Sequence, residues 1–518
     1  MVDTEIVIIG CGPVGALAAA MLGKLGRSAV VLEKSTQPNA ETRAIHMDHE
    51  TVRILHSVCE RAAVAPFLTP FNGMEFVDAT LKRIFLLKAS NPESGEQGFM
   101  FDQPGIEGAL RAQLGEGTGV ELRLGCTVTA IENRNDHVLV RFEADGIETT
   151  LTARYAIGAD GPSSFVRKAL GIPLENLDFD EPWVVIDGTL LVDKALPAYG
   201  QQVCDIARPK TFIPGVGAHR RWELMVLPGE ARDAVMDDDF ILRAIELWGV
   251  ERGAYRIDRK AYYVFHALIA QAYRKDRVFL IGDAAHQTPP FMGQGMCAGF
   301  RDAANLVWKL DLVLGGLAAD ALLDSYQAER APHVRVLINA AMAQGRLICT
   351  IDKAMENTRA EVLAGLASQK DLGFYDGIPG LTGDLRQSGA TQEVIGQLSP
   401  QPQIRGSDGA RSFLDDITGT GFRLLSTERL DPAAWPRETA DFWAALKGRC
   451  CQMVQAGTAA PLPDDAEDLD GRVTRLLAEN GAAAVLIRPD HHIFGVATAA
   501  AAVPALLNDL RTQLDRVA

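Results

Sequence analysis

The sequence predicts an α/β protein built on a parallel sheet, because three apolar segments each read as a buried strand that passes through a short loop into a helix. They are EIVIIGCGPVGALAAAML near the N-terminus, YAIGADGPSSFVRKALG from Tyr155 and RVFLIGDAAHQTPPFMGQGMCAGFRDAANLVWKL from Arg277. Strands that alternate with helices indicate parallel pairing with helices on the sheet faces. A chain of 518 residues is long enough for roughly two to four domains.

The first segment contains a glycine-rich turn followed by a helix and a second strand. Gly10, Gly12 and Gly15 form GxGxxG. The first glycine permits a tight turn, the second lets a pyrophosphate approach the backbone, and the third allows close helix packing. Glu33 ends the second strand, near the spacing of about 20 residues at which an acid binds a ribose. This unit predicts a Rossmann-like site for an adenine dinucleotide, with FAD and NAD both open.

The third segment places an acid where α/β sheets bind ligands. Asp283 follows the strand directly, and the carboxyl ends of parallel strands form the usual binding edge. The loop is rigid near Pro290 and permissive at Gly293, and free N–H groups begin a helix near Gly295 and Met296. Asp283 is suited to a ribityl hydroxyl and the helix N-terminus to a reduced flavin ring. Taken alone, the segment would be interpreted first as a strand-to-helix turn in which Asp283 caps the helix.

The three segments together resemble the fingerprints of the single-component FAD-dependent aromatic hydroxylases. The resemblance rests on GxGxxG, on the GADG turn with Asp160 and Gly161, and on the long third segment, and it covers about the first 340 residues. The third segment and FDQPGIEGALR most resemble 3-(3-hydroxyphenyl)propionate hydroxylase and related phenol hydroxylases. The resemblance implies hydroxylation of a phenol in aromatic catabolism, with a 3-hydroxyphenylpropionate-like acid as one candidate substrate. FAD would be the cofactor, NADH or NADPH a transient co-substrate, and a C4a-hydroperoxide of the flavin the oxygen donor.

The resemblance and the chemistry of the side chains together give a set of candidate site residues. The candidates for binding FAD are Gly10, Gly12, Gly15, Glu33, Lys34, Arg43, Gln103, Arg111, Asp160, Gly161, Asp283, Gly293, Gly295 and Met296. The catalytic candidates are Pro290, whose carbonyl would lie near the substrate hydroxyl, and His46 and Tyr263, which would polarise a phenol. Arg208, Arg220 and Arg221 are candidates for binding a substrate carboxylate, although exposed surface positions are the more usual place for arginine. We expect His286 only to brace its loop.

The resemblance and the strand patterns also predict a domain organisation. The predicted units are a discontinuous Rossmann-like FAD-binding domain of the glutathione-reductase type (1–180 and 276–345), an antiparallel β-sheet substrate domain (181–275), a helical connection (346–398) and a thioredoxin-like C-terminal domain (399–518). The last unit lacks a CxxC pair, because Cys450 and Cys451 are adjacent. A structural or dimer-forming role is therefore expected for it, rather than redox chemistry.

Composition narrows the possible partners. The net charge of −16 gives no positive field for nucleic acid or an anionic membrane. Scattered cysteines indicate neither a disulfide scaffold nor a metal site, and the acidic N-terminus is unlike a signal peptide. We therefore expect a cytoplasmic enzyme that acts on a small aromatic substrate with O₂, and by resemblance a homodimer. The alternatives are an FAD-dependent oxidase or dehydrogenase, a halogenase and, more distantly, a non-catalytic escort protein that would purify without FAD.

Overall fold

The computed structural model describes residues 2–37, 42–89, 97–369, 372–458 and 462–515. It confirms the α/β class, with three large sheets and helices packed between and around them. The α-helices are Pro13–Lys24, His49–His56, Arg61–Val64, Gln103–Arg111, Phe165–Ala169, Arg232–Val235, Asp238–Ile245, Gly295–Leu314, Asp324–Ile348, Glu356–Ser368, Leu414–Thr418, Arg437–Ala445, Arg472–Glu479 and Val503–Asp515.

The first sheet is the predicted Rossmann-like sheet. Its strands are Thr4–Ile9, Ala29–Glu33, Val120–Leu124, Thr127–Asn133, Val138–Ala144, Ile147–Gly158, Arg274–Lys275 and Val278–Leu280. The strand Thr4–Ile9 lies between two parallel neighbours, Ala29–Glu33 and Ile147–Gly158, and the latter pairs in parallel with Val278–Leu280. Thr4–Ile9, Ala29–Glu33, Val278–Leu280 and the last residues of Ile147–Gly158 are mostly apolar and buried, as expected for strands with helices on both sheet faces. The three predicted loops therefore leave the same edge of the sheet.

The second sheet is largely antiparallel and faces the first unit. Its strands are Gly73–Val77, Arg83–Lys88, Leu174–Leu190, Gly200–Val203, Lys210–Pro214, His219–Met225, Tyr255–Ala270 and His286–Gln287. One face packs against the FAD-binding region, and the other covers a separate core that contains Phe212, Trp222 and Trp248. Two strands come from the first hundred residues, outside the segment in which the sheet was expected. The predicted boundaries 181–275 stay a prediction.

The C-terminal unit contains the third sheet. Its strands are Gln403–Arg405, Arg411–Phe413, Arg423–Ser426, Arg449–Gln455, Ala466–Asp468, Ala484–Ile487 and Ile493–Ala497. Arg423–Ser426, Arg449–Gln455 and Ala466–Asp468 run parallel, whereas Ala484–Ile487 and Ile493–Ala497 form an antiparallel pair beside them. This is the expected thioredoxin-like arrangement.

The C-terminal unit is fastened to the helices behind the first sheet by buried ion pairs. Arg53, on the helix His49–His56, donates two hydrogen bonds to Asp415 at 2.6 and 2.9 Å. Because a buried charge is costly without a partner, such pairs require the two units to keep one relative position. A small three-stranded sheet (His46–Met47, Leu68–Pro70 and Phe99–Phe101) lies nearby.

The longest helices were compared with the thickness of a membrane. No single helix within the described ranges is long and apolar enough to cross a bilayer, and only the bent pair Asp320–Ile348 and Lys353–Ser368 reaches that length and composition jointly.

Candidate active site

The glycine-rich turn has the close backbone contacts that the GxGxxG pattern predicts. Gly10 has a φ of +99°, and a Cβ atom there would lie 2.5 Å from the carbonyl oxygen of Ala159. A Cβ atom on Gly15 would lie 2.1 Å from the carbonyl oxygen of Gly10. A Cβ atom on Gly12, in contrast, would meet nothing within 4 Å. Packing therefore requires glycine at the first and third positions, and the open space at Gly12 leaves the backbone accessible to a phosphate group.

Two charged side chains hold this turn from opposite sides. The carboxylate of Glu33 accepts hydrogen bonds from the backbone N–H groups of Cys11 at 2.7 Å and Ser35 at 2.9 Å. The guanidinium of Arg111 donates to the carbonyl oxygen of Cys11 at 2.6 Å. The structure thus brings both predicted residues to the turn, whereas Lys34 is exposed beside them.

The segment around Arg43 is held by Gln103. The side-chain oxygen of Gln103 accepts the backbone N–H groups of Arg43 at 2.8 Å and Ala44 at 2.9 Å. The side-chain nitrogen of Gln103 donates to Glu107 at 2.8 Å, which fixes the orientation of the amide. The backbone of Arg43 is therefore anchored while its side chain remains exposed.

The second sheet holds the same segment from the other side. Arg221 donates to the carbonyl oxygens of Thr42 and Arg43, both at 2.8 Å, and to the carboxylate of Asp187 at 2.8 and 3.0 Å. Arg259 adds a hydrogen bond to Asp187 at 3.2 Å. This cluster, in which Arg221 and Asp187 are buried, connects the second sheet to the Arg43 segment.

Asp302, which was not among the predicted site residues, positions the loop that follows the strand Val278–Leu280. Asp302 accepts hydrogen bonds from the backbone N–H of Gly282 at 3.0 Å and from Arg330 at 2.9 Å, and its carboxylate lies 2.6 Å from Nε2 of His286. His286 is buried, so it braces this loop. Asp283 itself keeps accessible surface, although burial within the surrounding protein raises the pKa of its carboxyl. The carboxylate of Asp283 is therefore accessible although protein surrounds it closely.

The loop then turns into the long helix at the predicted positions. Gly293 has a φ of +62°, and a Cβ atom there would lie 2.9 Å from Nδ1 of His46. The helix begins at Gly295, where a Cβ atom would meet nothing within 4 Å, and Met296 is half-buried. Pro290 is exposed at the start of a 3₁₀ turn. The space beside Gly295 is thus open at the start of the helix.

His46 lies inside an aromatic cluster. Its Nε2 is 3.1 Å from the hydroxyl of Tyr375, and its ring packs edge-on against Phe71 and Phe374. Burial lowers the pKa of His46 to about 4, so the imidazole is neutral at neutral pH. The structure brings His46 to the loop but gives it a buried position.

Asp160 and Gly161 form a turn that begins a helix. The carboxylate of Asp160 accepts hydrogen bonds from the hydroxyl of Ser164 at 2.5 Å and the backbone N–H of Val166 at 3.0 Å. Gly161 has a φ of +81°, in the left-handed region that glycine tolerates. The turn packs against Gly10 through Ala159.

Tyr263 lies on the face of the second sheet that is turned toward the loop. It is paired with Trp183 on the neighbouring strand, and directly opposed residues share a sheet face. The ring of Trp183 lies 5.9 Å from that of Phe291, which belongs to the loop, and also stacks on Phe265. Aromatic side chains of the second sheet therefore pack against the loop that precedes the helix Gly295–Leu314.

The candidate arginines for a substrate carboxylate are already engaged. Arg208 donates to Glu230 at 2.9 Å, and Arg220 donates to the carbonyl oxygen of His219 at 2.6 Å. Arg221 is buried against Asp187, so the expectation that it is a surface charge was wrong. Sequence-based reasoning favours exposed arginine, and it does not reveal an acid on another strand.

These residues fit FAD. The open backbone at Gly12 suits a pyrophosphate, and Glu33 suits a ribose. Asp283 is accessible and accepts no hydrogen bond from any residue within the described ranges. An acceptor in this position matches a ribityl hydroxyl.

Residues 3–341 match the model of the FAD binding domain family, and residues 396–513 match that of the HcaD C-terminal domain. A Rhodococcus jostii (strain RHA1) protein named "Probable NADH-specific resorcinol 4-hydroxylase" is 34% identical over 518 residues, which cover 98% of this chain and 94% of that protein. The chain belongs to the FAD-dependent aromatic hydroxylases.

Other relatives agree with this family. The 3-(3-hydroxy-phenyl)propionate/3-hydroxycinnamic acid hydroxylase of Escherichia coli O139:H28 (strain E24377A / ETEC) is 29% identical, over 99% of this hydroxylase and 95% of that protein. The solved structures of aklavinone-11 hydroxylase with FAD and aklavinone, and of the flavin-dependent monooxygenase PieE with FAD and substrate, share the fold. Their TM-scores are 0.81 and 0.82, each at 22% identity, covering 100% and 99% of this chain and 100% of each of those chains.

The buried charges of this hydroxylase behind the loop that carries Asp283 were not predicted from the sequence. Arg301 donates to Asp48 at 2.6 Å and to Gln294 at 3.0 Å, and the adjacent Asp302 holds the Asp283 loop. The available signal was the Arg-Asp pair at these two positions in an otherwise apolar helix segment, since charges on such a face need partners.

Proposed function

We propose that this hydroxylase adds one oxygen atom from O₂ to the ring of a small phenol, with NADH as the reductant. The observation that supports the proposal best is the accessible carboxylate of Asp283, which accepts no hydrogen bond from the described residues and lies in the loop whose Phe291 packs against Trp183 on the sheet face that also carries Tyr263. An enclosed apolar site with a few polar groups suits a planar phenol. The name of the Rhodococcus relative supports both a phenol and NADH.

Bound FAD would supply the redox chemistry and the activation of O₂. In this proposal Gly12 gives a pyrophosphate access to the backbone, Glu33 accepts hydrogen bonds from the ribose, and Asp283 does so from the ribityl chain. The N–H groups at Gly295 and Met296 stabilise negative charge at the ring edge because the positive end of the helix dipole lies there.

In this proposal, the remaining candidate residues position groups around the cofactor and exclude water from the site. The Arg43 segment, anchored by Gln103 and Arg221, keeps a guanidinium near the flavin side of the cavity. Pro290 and Tyr263 line the substrate side in this proposal, where excluding water protects the reactive oxygen donor from side reactions. His46 supports the loop at Gly293 from within the aromatic cluster.

An acid such as 3-(3-hydroxyphenyl)propionate is the second candidate substrate, because the relative from Escherichia coli is named for it. A substrate carboxylate is bound best by a free arginine. Arg208 and Arg221 each have an acid as partner, and Arg220 is bound to backbone carbonyls. These engagements favour a phenol without a carboxylate.

The test is oxidation of NADH and of NADPH by the FAD-loaded protein with resorcinol, phenol and 3-(3-hydroxyphenyl)propionate, with the hydroxylated product and hydrogen peroxide measured together. We expect product equal to the NADH consumed for at least one carboxylate-free phenol. Peroxide without product, or no stimulation by any phenol, would contradict the proposal. The homodimer and the cytoplasmic location also stay predictions, and light scattering after size-exclusion chromatography tests the former.

A further inference from the structure

Glu223 lies in the middle of the strand His219–Met225, on the face turned toward the flavin region. Its neighbours Trp222 and Leu224 pack into the core on the far side of the sheet. Because side chains alternate along a strand, Glu223 shares the opposite face with Arg221 and Met225. Arg221 reaches the backbone of the Arg43 segment from that face.

The accessible surface of Glu223 opens into the interior. The residues opposite it on the two neighbouring strands are Val185 and Thr211, which are only 6% and 4% exposed. Gln202, one strand further, is 1% exposed and accepts the hydroxyl of Thr211 at 2.8 Å. Glu223 itself is half-buried. Because its neighbours on the sheet are buried, Glu223 is accessible only from above the sheet, and we infer that it faces a cavity between this sheet and the FAD-binding region.

The carboxylate of Glu223 has no hydrogen-bond or ion-pair partner in the part of the chain that the structure describes. The nearby cation, Arg221, is already bound by Asp187 and by backbone carbonyls. Burial raises the pKa of Glu223 to about 7, with Arg221 lowering and Asp187 raising it by smaller amounts. An enclosed acid without a partner costs free energy, and such acids occur most often at functional sites.

We propose that Glu223 accepts a hydrogen bond from the hydroxyl of the phenolic substrate and takes up its proton, a role that rests on the proposed function. The O–H bond of the phenol breaks and an O–H bond forms on the carboxylate. The electron pair stays on the phenolic oxygen and is delocalised to the ring carbons ortho and para to it. One of these carbons then bonds one oxygen atom of O₂ and loses its proton, the second oxygen atom leaves as water, and NADH is the source of the two electrons, which bound FAD would relay.

The same residue would set a preference between substrate classes. A carboxylate placed against Glu223 would be repelled, because like charges in an enclosed site interact unfavourably. A hydroxyl would be attracted, because it donates to the carboxylate. The structure therefore assigns to this site a phenol whose hydroxyl, and not a carboxyl group, points to the sheet.

The decisive experiment compares Glu223→Gln with Glu251→Gln, a matched variant at an exposed position of the same region. Glutamine keeps the shape but cannot take up the proton. With the best phenol, we expect hydroxylation by Glu223→Gln to fall by about 10²-fold or more, the typical contribution of a general base, with unchanged FAD content. Glu223→Asp should retain part of the activity, and Glu251→Gln all of it.

The pH profile separates a proton acceptor from a structural residue. Other titratable or charged groups that face the cavity or border it are Arg221 on the same strand, Asp187 and Tyr263 on neighbouring strands, and Arg43 and Asp283 on the flavin side. The wild-type hydroxylation rate should rise with pH near 7 as Glu223 ionises, and Glu223→Gln should lose that rise. Wild-type rate and profile in Glu223→Gln would overturn this role alone. Failure of the wild-type protein with every phenol would overturn the proposed function as well.

Substrate binding gives a second readout that does not depend on turnover. Changes in flavin absorbance report the dissociation constants of phenol and of benzoate, which carries a carboxylate in place of the hydroxyl. We expect the wild-type protein to bind phenol at least about 10-fold more tightly, and Glu223→Gln to reduce that ratio, because the repulsion is removed. Equal binding of phenol and benzoate by the wild-type protein would overturn the assigned preference.

Discussion

Arg488 donates two hydrogen bonds to Glu329, from Nη1 at 2.6 Å and from Nη2 at 2.8 Å, and both side chains are almost fully buried. Glu329 lies on the helix Asp324–Ile348 behind the flavin site, and Arg488 belongs to the C-terminal unit. The pair thus fastens the thioredoxin-like unit to the hydroxylase core.

Replacing Arg488 should therefore destabilise the whole chain. Arg488→Met leaves Glu329 buried with only part of its partners, so we expect a loss of about 3–5 kcal/mol in the free energy of unfolding. Arg437→Met is the matched control, because Arg437 pairs with Asp441 on the exposed surface and should cost less than about 1 kcal/mol. Urea unfolding followed by circular dichroism measures both, and equal midpoints would contradict the prediction.

Asp302→Asn should weaken FAD binding without touching the flavin. The carboxylate of Asp302 holds Gly282, His286 and Arg330 together, so an amide leaves buried donors mismatched. A penalty of about 1–3 kcal/mol corresponds to roughly 5- to 150-fold weaker binding. Quenching of FAD fluorescence on titration with apoprotein measures the effect. Asp311→Asn, at the partly exposed end of the same helix, should bind FAD like the wild type.

Removing the acceptor at Asp283 should also lower FAD affinity. Asp283→Ala deletes this accessible carboxylate, and we expect about 10-fold weaker binding from the loss of one charge-assisted hydrogen bond. Asp193→Ala, at an exposed position in the same chain, is the comparison. Retention of the full flavin complement by Asp283→Ala after extensive dialysis would remove Asp283 from the cofactor site.

The Asp187 cluster should make stability depend on acid pH. Burial alone would raise the pKa of Asp187, but Arg221 and His219 outweigh it and lower the pKa to about 2, below the ordinary value of 3.8. Because the folded-state pKa is the lower one, the stabilisation is present above about pH 4 and is lost as pH falls toward 2. The melting temperatures of wild type and Asp187→Asn should differ most at pH 6 and converge toward pH 2. A constant difference would show that the charge of Asp187 contributes nothing.

The cysteine pair of the C-terminal unit should be chemically inert. Burial raises the pKa of Cys450 to about 11 and that of Cys451 to about 12, so little thiolate exists at neutral pH. Adjacent residues of a strand also point to opposite faces. We expect Cys450→Ala/Cys451→Ala to hydroxylate at the wild-type rate, with or without dithiothreitol. Dependence of that rate on dithiothreitol in the wild type, lost in the variant, would indicate redox chemistry.

The local parts of this site could be predicted from the sequence. Gly10 and Gly15 are required by contacts within a few residues or with the neighbouring strand, and Asp283 follows a strand whose apolar run is unmistakable. These features depend on short-range geometry, which a sequence pattern encodes directly.

The features that could not be predicted depend on partners that are far away in the sequence. Arg53 and Asp415 are 362 positions apart, and neither shows in the sequence that its charge is buried. The segment RWELMVL indicates a strand, but only the register with Val185 and Thr211 places Glu223 beside buried residues. Long-range pairing thus determines which alternating side chains become a site.

The strand Gly73–Val77 pairs in parallel with Gly200–Val203, so the second sheet is assembled from segments that are far apart in the chain. Recombination between related genes at the edges of residues 181–275 would combine the strands of that segment from one protein with Gly73–Val77 and Arg83–Lys88 from another. We therefore expect the substrate range of related proteins to change by point substitutions on the sheet face toward the FAD-binding region, and not by exchange of one contiguous segment. Chimaera design faces the same restriction, and crossovers should keep residues 73–88 with the remainder of the sheet.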